Sequence, residues 1–256
     1  MSEKKDQLYR QKNSSHNNSD NVGSVGSFKF DARVAGVFND MISRSVPGYQ
    51  QILEMLPTLV KHINVKSDKQ QYYDLGCSLG AGMLAISQGL DEQHHSTCPI
   101  IGVDNSADML SEAQKRLAPF EQFNFELKQQ NIQQTNIENA TLVLMNFTLQ
   151  FIPLDERNKI ITAIYQGLNT GGALILSEKI KSEDQQTHQL LTDIHHQYKA
   201  DQGYSQLEIA QKRDAIENVL IPETLNTHIR RLKNAGFATV TPWIQNLQFI
   251  SILAVK

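Results

Sequence analysis

The stretch Tyr72-Tyr73-Asp74-Leu75-Gly76-Cys77-Ser78-Leu79-Gly80-Ala81-Gly82 constrains the fold more than any other part of the chain. A short apolar run ends in an acid, passes through a glycine-rich turn and becomes a helix-forming pattern from Leu79 to Leu90. That order predicts a strand, a tight turn and a helix N-terminus, the unit in which doubly wound sheets bind nucleotide-bearing ligands. Gly76 can take backbone angles closed to other residues and has no Cβ to block a ligand lying across the turn. The first N–H groups of the helix lack intrahelical acceptors and can hold polar groups of that ligand.

The spacing of the glycines separates two ligand classes. A dinucleotide fingerprint reads G-x-G-x-x-G and serves a pyrophosphate. Asp74 to Gly80 instead reads acid-Leu-Gly-x-x-x-Gly, which resembles the first motif of the class I S-adenosylmethionine-dependent methyltransferases. Ser78 departs from that motif, standing where many of those proteins have a middle glycine. A βα turn shaped only for packing reads much the same, so the rest of the chain has to decide.

With 256 residues, 40% hydrophobic and 20% charged, the chain has room for one large α/β domain and its core. A formal charge of −3 gives no global pull toward nucleic acid, and no arginine-rich or aromatic-interleaved basic run occurs. Cys77 and Cys98 form no C-x-x-C pair. Cys98 is read as a loop or packing residue, and Cys77, with no evident partner base, is not read as a nucleophile. The histidines show no H-E-x-x-H or other metal-ligand spacing, so no metal is expected. No apolar run approaches the ~20 residues that span a bilayer, and the N-terminus lacks a signal-peptide core. A cytoplasmic protein with no membrane partner is the expectation.

Along the chain, residues 1–27 are polar and rich in Asn, Ser and Lys, and read as a disordered tail. Residues 28–256 read as a single domain. Within it, residues 28–66 supply two amphipathic helices placed to form a lid, separated at Ser45-Val46-Pro47-Gly48. Tyr49 follows that break and either points inward or packs one helix on the next. Ile100 to Asp104 is a second strand. Its terminal acid either accepts from both ribose hydroxyls or shares with Asn105 and Ser106 the capping of a helix over Ala107 to Leu117.

Phe123 to Leu127 alternates as a third strand, and Ala140 to Phe147 is a nearly continuous apolar run typical of a central strand. It ends in Asn146-Phe147-Thr148-Leu149-Gln150-Phe151, with no prolines there, which counts against the D/N-P-P-Y/F motif of amino-group methylation. A helix over Ile160 to Leu168, closed by Gly171-Gly172, and a fifth strand over Ala173 to Ser177 continue the alternation. Residues 183–219 interrupt it with two helical segments around Gly203. Leu190, Leu191, Ile194 and Tyr198 form one face of the first segment; His188, His195 and His196 are read as a solvated face. Arg213, on the second, suits an i,i+4 surface pair with Glu217. A helix from Pro222 to Leu232 and two terminal strands, Thr239 to Gln245 and Gln248 to Val255, complete the chain. The expected architecture is a Rossmann-like class I methyltransferase fold: a seven-stranded, mostly parallel sheet, helices on both faces and N-terminal lid helices.

Several strings resemble one branch of that superfamily, the carboxy-S-adenosyl-L-methionine synthases. They are Arg44 to Tyr49, Tyr73 to Ser78, Asn146 to Phe151, Ser177-Glu178-Lys179, Gly203-Tyr204-Ser205 and Gln211-Lys212-Arg213. The likeness runs from about Phe28 to the C-terminus. It implies that S-adenosylmethionine is bound as a substrate and its methyl group is carboxylated. Prephenate is the carbon dioxide source, and carboxy-S-adenosylmethionine and phenylpyruvate are the products. It implies further a homodimer, and hand-over of the product to a separate enzyme that carboxymethylates a tRNA wobble uridine.

In the family's route hydroxide leaving prephenate removes the methyl proton, so positioning, exclusion of water and stabilisation of the new carboxylate fall to the protein. Carried over, Gly76, Cys77 and Ser78 line the methionine side, Asp104 takes the ribose and Asn105 lies beside adenine. Asn131 and Ile132 border adenine, Asn146 lies near the ligand's centre, Tyr49 closes from the lid, and Arg213 holds the new carboxylate. Asn131 stands where members commonly have Asp, and Gln133 where an arginine is frequent; an amide oxygen still accepts from the adenine amino group. Two rival readings are an ordinary methyltransferase of a small molecule and a non-catalytic cofactor-binding partner of a tRNA-modifying enzyme.

Overall fold

The computed structural model describes residues 31–63, 65–210 and 219–256. Seven strands form one sheet in the order β3-β2-β1-β4-β5-β7-β6. They are β1 (Gln71–Leu75), β2 (Ile100–Asp104), β3 (Phe125–Gln129), β4 (Ala140–Asn146), β5 (Leu168–Lys179), β6 (Thr239–Asn246) and β7 (Phe249–Val255). The first five run parallel; β7 lies antiparallel between β5 and β6. Chain order reverses at β1, which pairs with β2 on one side and β4 on the other, so a crevice opens beyond its C-terminal end.

The helices are α1 (Ala32–Ala35), α2 (Phe38–Ser45), α3 (Tyr49–His62), α4 (Ala81–Ser87), α5 (Ala107–Leu117), α6 (Leu154–Gly167), α7 (Gln185–Asp201) and α8 (Leu225–Ala235). Because side chains alternate along a strand, the apolar run of β4 feeds two cores at once. Leu142 and Leu144, with Tyr72 and Ile175, meet α3, α4 and α5 through Leu56, Met83, Ile86 and Leu117. Val143 and Met145, with Tyr73 and Leu174, meet α6 and α8 through Ile161, Ile164 and Leu232. A third cluster joins the N-terminal helices to the ends of the strands through Ile42, Ile52, Leu79, Phe147 and Phe249. Each fully buried side chain of this kind contributes about 1.5–3 kcal/mol.

Several boundaries differ from the sequence reading, each for a local reason. The first lid helix is two pieces, α1 and α2, broken at Gly36-Val37. The third strand starts at Phe125, because Phe123 belongs to a turn in which its N–H donates to the Phe120 carbonyl and its ring packs on His95. Left-handed Gly80 delays α4 to Ala81, and the helix stops at Ser87, short of Leu90. Pro153 starts α6 at Leu154 and β5 begins at Leu168, so Asn169 to Gly172 lie in the strand rather than a loop. Thr224, accepting from the Thr227 N–H, starts α8 three residues after Pro222.

The largest difference concerns α7. Leu190 and Ile194 are 59% and 41% exposed, while His195 and Lys199 are buried. The helix therefore turns a polar stripe inward and leaves Leu190 and Ile194 outward, with Leu191 and Tyr198 half-buried. The expected tail 1–27, and Arg213 with Gln211, Lys212 and Glu217, lie outside the described residues.

Candidate functional site

A cavity of about 740 Å³ opens at the C-terminal ends of β1, β2, β4 and β5, under α2, α3 and α7. Tyr49, Gly76, Cys77, Ser78, Asp104, Asn105, Asn131, Ile132 and Asn146 all line it; Arg213 is outside the described residues.

The turn after β1 is set by backbone. Gly76 sits at φ 80°, and its N–H and that of Cys77 both donate to the Val103 carbonyl, at 2.8 and 3.0 Å. A Cβ on Gly76 would run into the side chain of Thr148, so the turn lies flush against the loop after β4. Ser78 is also left-handed, at φ 50°, which explains why a middle glycine suits this position. Its N–H donates to Asp104 Oδ2 at 2.9 Å, and Asp104 Oδ1 accepts from the Ser106 N–H at 2.9 Å. The cap of α5 is Ser106, which accepts from Met109. Asp104 thus ties the glycine-rich turn to the start of α5. Burial raises its pKa, opposed by the hydrogen bonds from Ser106, Ser78 and Asn105.

Beneath the turn, Asp74 is 2% exposed. Burial, and then the charge of Asp104, push its carboxyl up to about 7, against the Met83 N–H that it accepts. Gly82 has no room for a Cβ, which would meet the Asp74 carboxylate and Leu144. Burial, with Asp74 and Asp104 nearby, also pushes the Cys77 thiol well up, the opposite of an activated nucleophile.

At the far edge Asn105 Nδ2 donates to Asn131 Oδ1 at 3.1 Å, above buried Ile132. Gln133 turns to the rim and donates to Glu156 at 2.6 Å. Asn146 ends β4 with its Oδ1 buried and without a hydrogen-bond partner, and Phe147 follows at φ 60°. From above, Tyr49 stands 6.4 Å from Phe147 between ring centroids. Burial, then the charge of Asp74, raise the pKa of its hydroxyl, so it stays a neutral donor. Ser45 Oγ, on the same roof, is likewise buried without a partner.

The remaining wall was missed by the sequence reading. Lys179, His188, Thr192, His195, His196, Lys199 and Phe249 line the β5–α7 end of the cavity. His195 donates from Nε2 to the Ser45 carbonyl at 2.8 Å and packs edge-on against Phe249, with centroids 4.9 Å apart. Burial, followed by the charge of Lys199, lowers its pKa to about 3 and keeps the ring neutral. Arg44 reinforces the junction of α2 and α7: it stacks on Tyr204 at 4.0 Å, pairs with Asp40 and donates to the Gln202 carbonyl. Fully buried Arg157 braces the loop after β4 from behind, donating to the carbonyls of Gln150, Ile152 and Ile221 and to Glu223. The signal for the missed wall was present: positions 188, 192, 195 and 199 fall on one helical face. Read as a solvated face, the histidines at 188, 195 and 196 hide that signal.

Among the described residues no group of three or more His, Cys, Asp or Glu side chains is placed to hold a metal ion. None of the described helices is long and apolar enough to cross a membrane.

Residues 73–172 match a family model described as a methyltransferase domain. Among solved structures, the chain resembles a putative O-methyltransferase from Nostoc punctiforme at TM-score 0.60 and 17% identity, over 88% of this chain and 59% of that one. It also resembles a putative S-adenosyl-L-methionine-dependent methyltransferase from Methanococcus maripaludis, at TM-score 0.56 and 18% identity over 91% and 97% of the two chains. These likenesses establish the class I methyltransferase fold. Much closer in sequence is the carboxy-S-adenosyl-L-methionine synthase of Hahella chejuensis, 46% identical over the full length of both chains. The synthase of the same name from Idiomarina loihiensis is 46% identical over 91% of this chain and 95% of its own. On that likeness the chain belongs to the carboxy-S-adenosyl-L-methionine synthase family.

Proposed function

We propose that this chain converts S-adenosylmethionine and prephenate to carboxy-S-adenosylmethionine and phenylpyruvate. The observation that carries this reading is the 46% identity over the whole chain to a synthase of that name. Prephenate gives up carbon dioxide and hydroxide; the hydroxide takes a methyl proton and leaves as water, and the carbon dioxide becomes the new carboxyl. Phenylpyruvate is the remainder, so atoms and charge balance without an external oxidant or reductant.

The residues of the cavity suit the first substrate. Asp104 keeps acceptor capacity for a ribose hydroxyl beside its three backbone donors, Asn105 and Asn131 frame a slot for the adenine, and Ile132 gives it an apolar floor. The unpartnered Asn146 Oδ1 and Ser45 Oγ are buried acceptors awaiting donors, and a buried polar group left unmatched costs about 1–3 kcal/mol. Gly76, Cys77 and Ser78 border the methionine portion, whose sulfonium supplies the acidity of the methyl group. Tyr49 and the apolar roof exclude water. His195, held near 3, is a poor base, which agrees with a route whose proton acceptor comes from the substrate. Arg213 is assigned to the new carboxylate, since its planar fork holds two oxygens at once.

The same reading makes the protein a cytoplasmic homodimer that passes its product to an enzyme modifying a tRNA wobble uridine. The exposed Leu190 and Ile194 of α7 are available to a second copy, a point that sedimentation will settle. The test of function is mass spectrometry of a reaction containing S-adenosylmethionine and prephenate. Carboxylated product and phenylpyruvate are expected in equal amounts. Accumulation of S-adenosylhomocysteine independent of prephenate would return the chain to the ordinary methyltransferases.

A further inference from the structure

We propose that the β5–α7 end of the cavity is a dedicated subsite for the carboxylates of the second substrate, with Lys179 and Lys199 supplying its positive charge. The inference rests on the two-substrate reading above and adds where and by which groups the second molecule is held.

Charge is divided along the cavity. Among its described lining residues the only acids are Asp74 and Asp104, on β1 and β2. Lys179 and Lys199, with His188, His195 and His196, gather on β5 and α7. Strand order places β4 between the two groups, and three inter-strand steps from β2 to β5 span roughly 14 Å. A nucleoside seated at β2 and β1, with its sulfonium near Asn146, leaves the β5 end for another molecule. That end suits an anion, as the acidic end suits a cation.

The lysines are built into the wall rather than hung from the surface. Lys199 is only 8% exposed although it sits on a helix with a solvent face. Lys179 follows Glu178 at the end of β5, its N–H fixed by Gln150 Oε1 at 3.0 Å and its Nζ 5.9 Å from the Phe249 ring centroid. Both lysines line the same cavity as the ring of His195. His195 fixes that space by bolting α7 to the Ser45 carbonyl, and Gln248 reaches His188 and Thr192 from the rear.

The experiment is calorimetric titration of the protein–S-adenosylhomocysteine complex with prephenate. The wild-type complex is expected to bind it. Lys179→Met and Lys199→Met should each weaken prephenate by about tenfold or more while changing S-adenosylhomocysteine affinity less than about twofold. Lys199→Arg, which keeps the charge, should retain most of the affinity. If Lys199→Met fails to fold, the half-buried Lys179→Met decides alone. Three results overturn the proposal: no prephenate binding to the wild-type complex, unchanged affinity in the variants, or equal loss for both ligands, which would assign the lysines to the methionine carboxylate. Failure of the reaction itself is read separately, by the product assay, since binding in this titration requires no turnover.

Discussion

The two ends of the cavity are built by different means. At the β1–β2 end the shape comes from backbone: left-handed Gly76, Ser78 and Gly80, carbonyls accepting across the turn, and one carboxylate clamping two N–H groups. At the β5–α7 end it comes from side chains on a single helical stripe, docked by one histidine and one arginine. Backbone turns are tolerant of side-chain change except where a Cβ cannot fit, whereas a docked stripe depends on every member and on protonation. The first end should therefore fail through glycines, and the second through charge and pH.

The largest effect is expected at Gly76. Gly76→Ala forces an L-residue into a left-handed conformation, costing about 1–2 kcal/mol. Its Cβ also meets Thr148, and overpacking costs a further ~1–3 kcal/mol. Melting temperature and S-adenosylmethionine affinity should both fall. A variant that melts like wild type would mean the turn and the β4 loop are not packed as described.

Next comes Asp104. In the structure the acid is a strut as well as a candidate ribose ligand, so Asp104→Ala should lose affinity by about 1.5–3 kcal/mol, the range for hydrogen bonds to a charged group. Stability should fall with it, because the Ser78 and Ser106 N–H groups lose their acceptor. Calorimetry beside a melting curve checks this. Loss of stability with intact affinity would remove Asp104 from ligand binding.

These two positions also show what the sequence made legible. Gly76 was readable because a glycine-rich turn after a strand-ending acid has few conformations that satisfy its backbone groups, and Asp104 as the acid that ends the second strand, its role open there between ribose and helix cap. The parallel alternation and the terminal strand pair were legible from hydrophobic patterning, while most of the lining residues came from the family resemblance. The α7 wall was not readable, since period alone says which residues share a face and not which face turns inward. Hydrophobicity gave the wrong answer there: Leu190 and Ile194 are outside, and a cavity for polar ligands takes His195 and Lys199 inside. Phe123 misled for a different reason: from a turn its ring packs on Phe125, the first residue of β3, and mimics strand alternation.

The pH test addresses that wall directly. His195 titrates near 6.5 when unfolded and near 3 when folded, so the folded state binds fewer protons between those values. The contribution of His195 to stability is complete above about 6.5 and is lost as pH drops toward 3, by up to about 1.4 kcal/mol per pH unit, while the raised carboxyls of Asp74 and Glu178 act in the opposite direction. His228, lowered to about 4 by its own burial, adds a loss of the same sign. His195→Gln, which can keep a donor for the Ser45 carbonyl, should therefore remove only part of the difference between melting curves at pH 7.5 and pH 5.5. If that difference is unchanged, His195 is not held neutral by the wall.

The smallest effect is expected at Ser78, and it separates the backbone from the side chain at the first end. The residue is left-handed at φ 50°, a conformation that strains an L-residue, and its Oγ reaches only Met109 Sδ at 3.6 Å. Ser78→Gly relieves about 1–2 kcal/mol of strain. It also frees the unfolded chain, which opposes the gain by roughly 0.4–1 kcal/mol. The net change in stability should be a gain of about 1 kcal/mol or less. Because the Ser78 N–H remains to meet Asp104, affinity for S-adenosylmethionine should hold. Ser78→Val keeps the same N–H but puts a β-branched side chain at positive φ, and should melt below wild type. Should Ser78→Gly instead bind the ligand markedly less well, the hydroxyl itself is a ligand contact. The first end of the cavity would then owe its specificity to a side chain, as the second does.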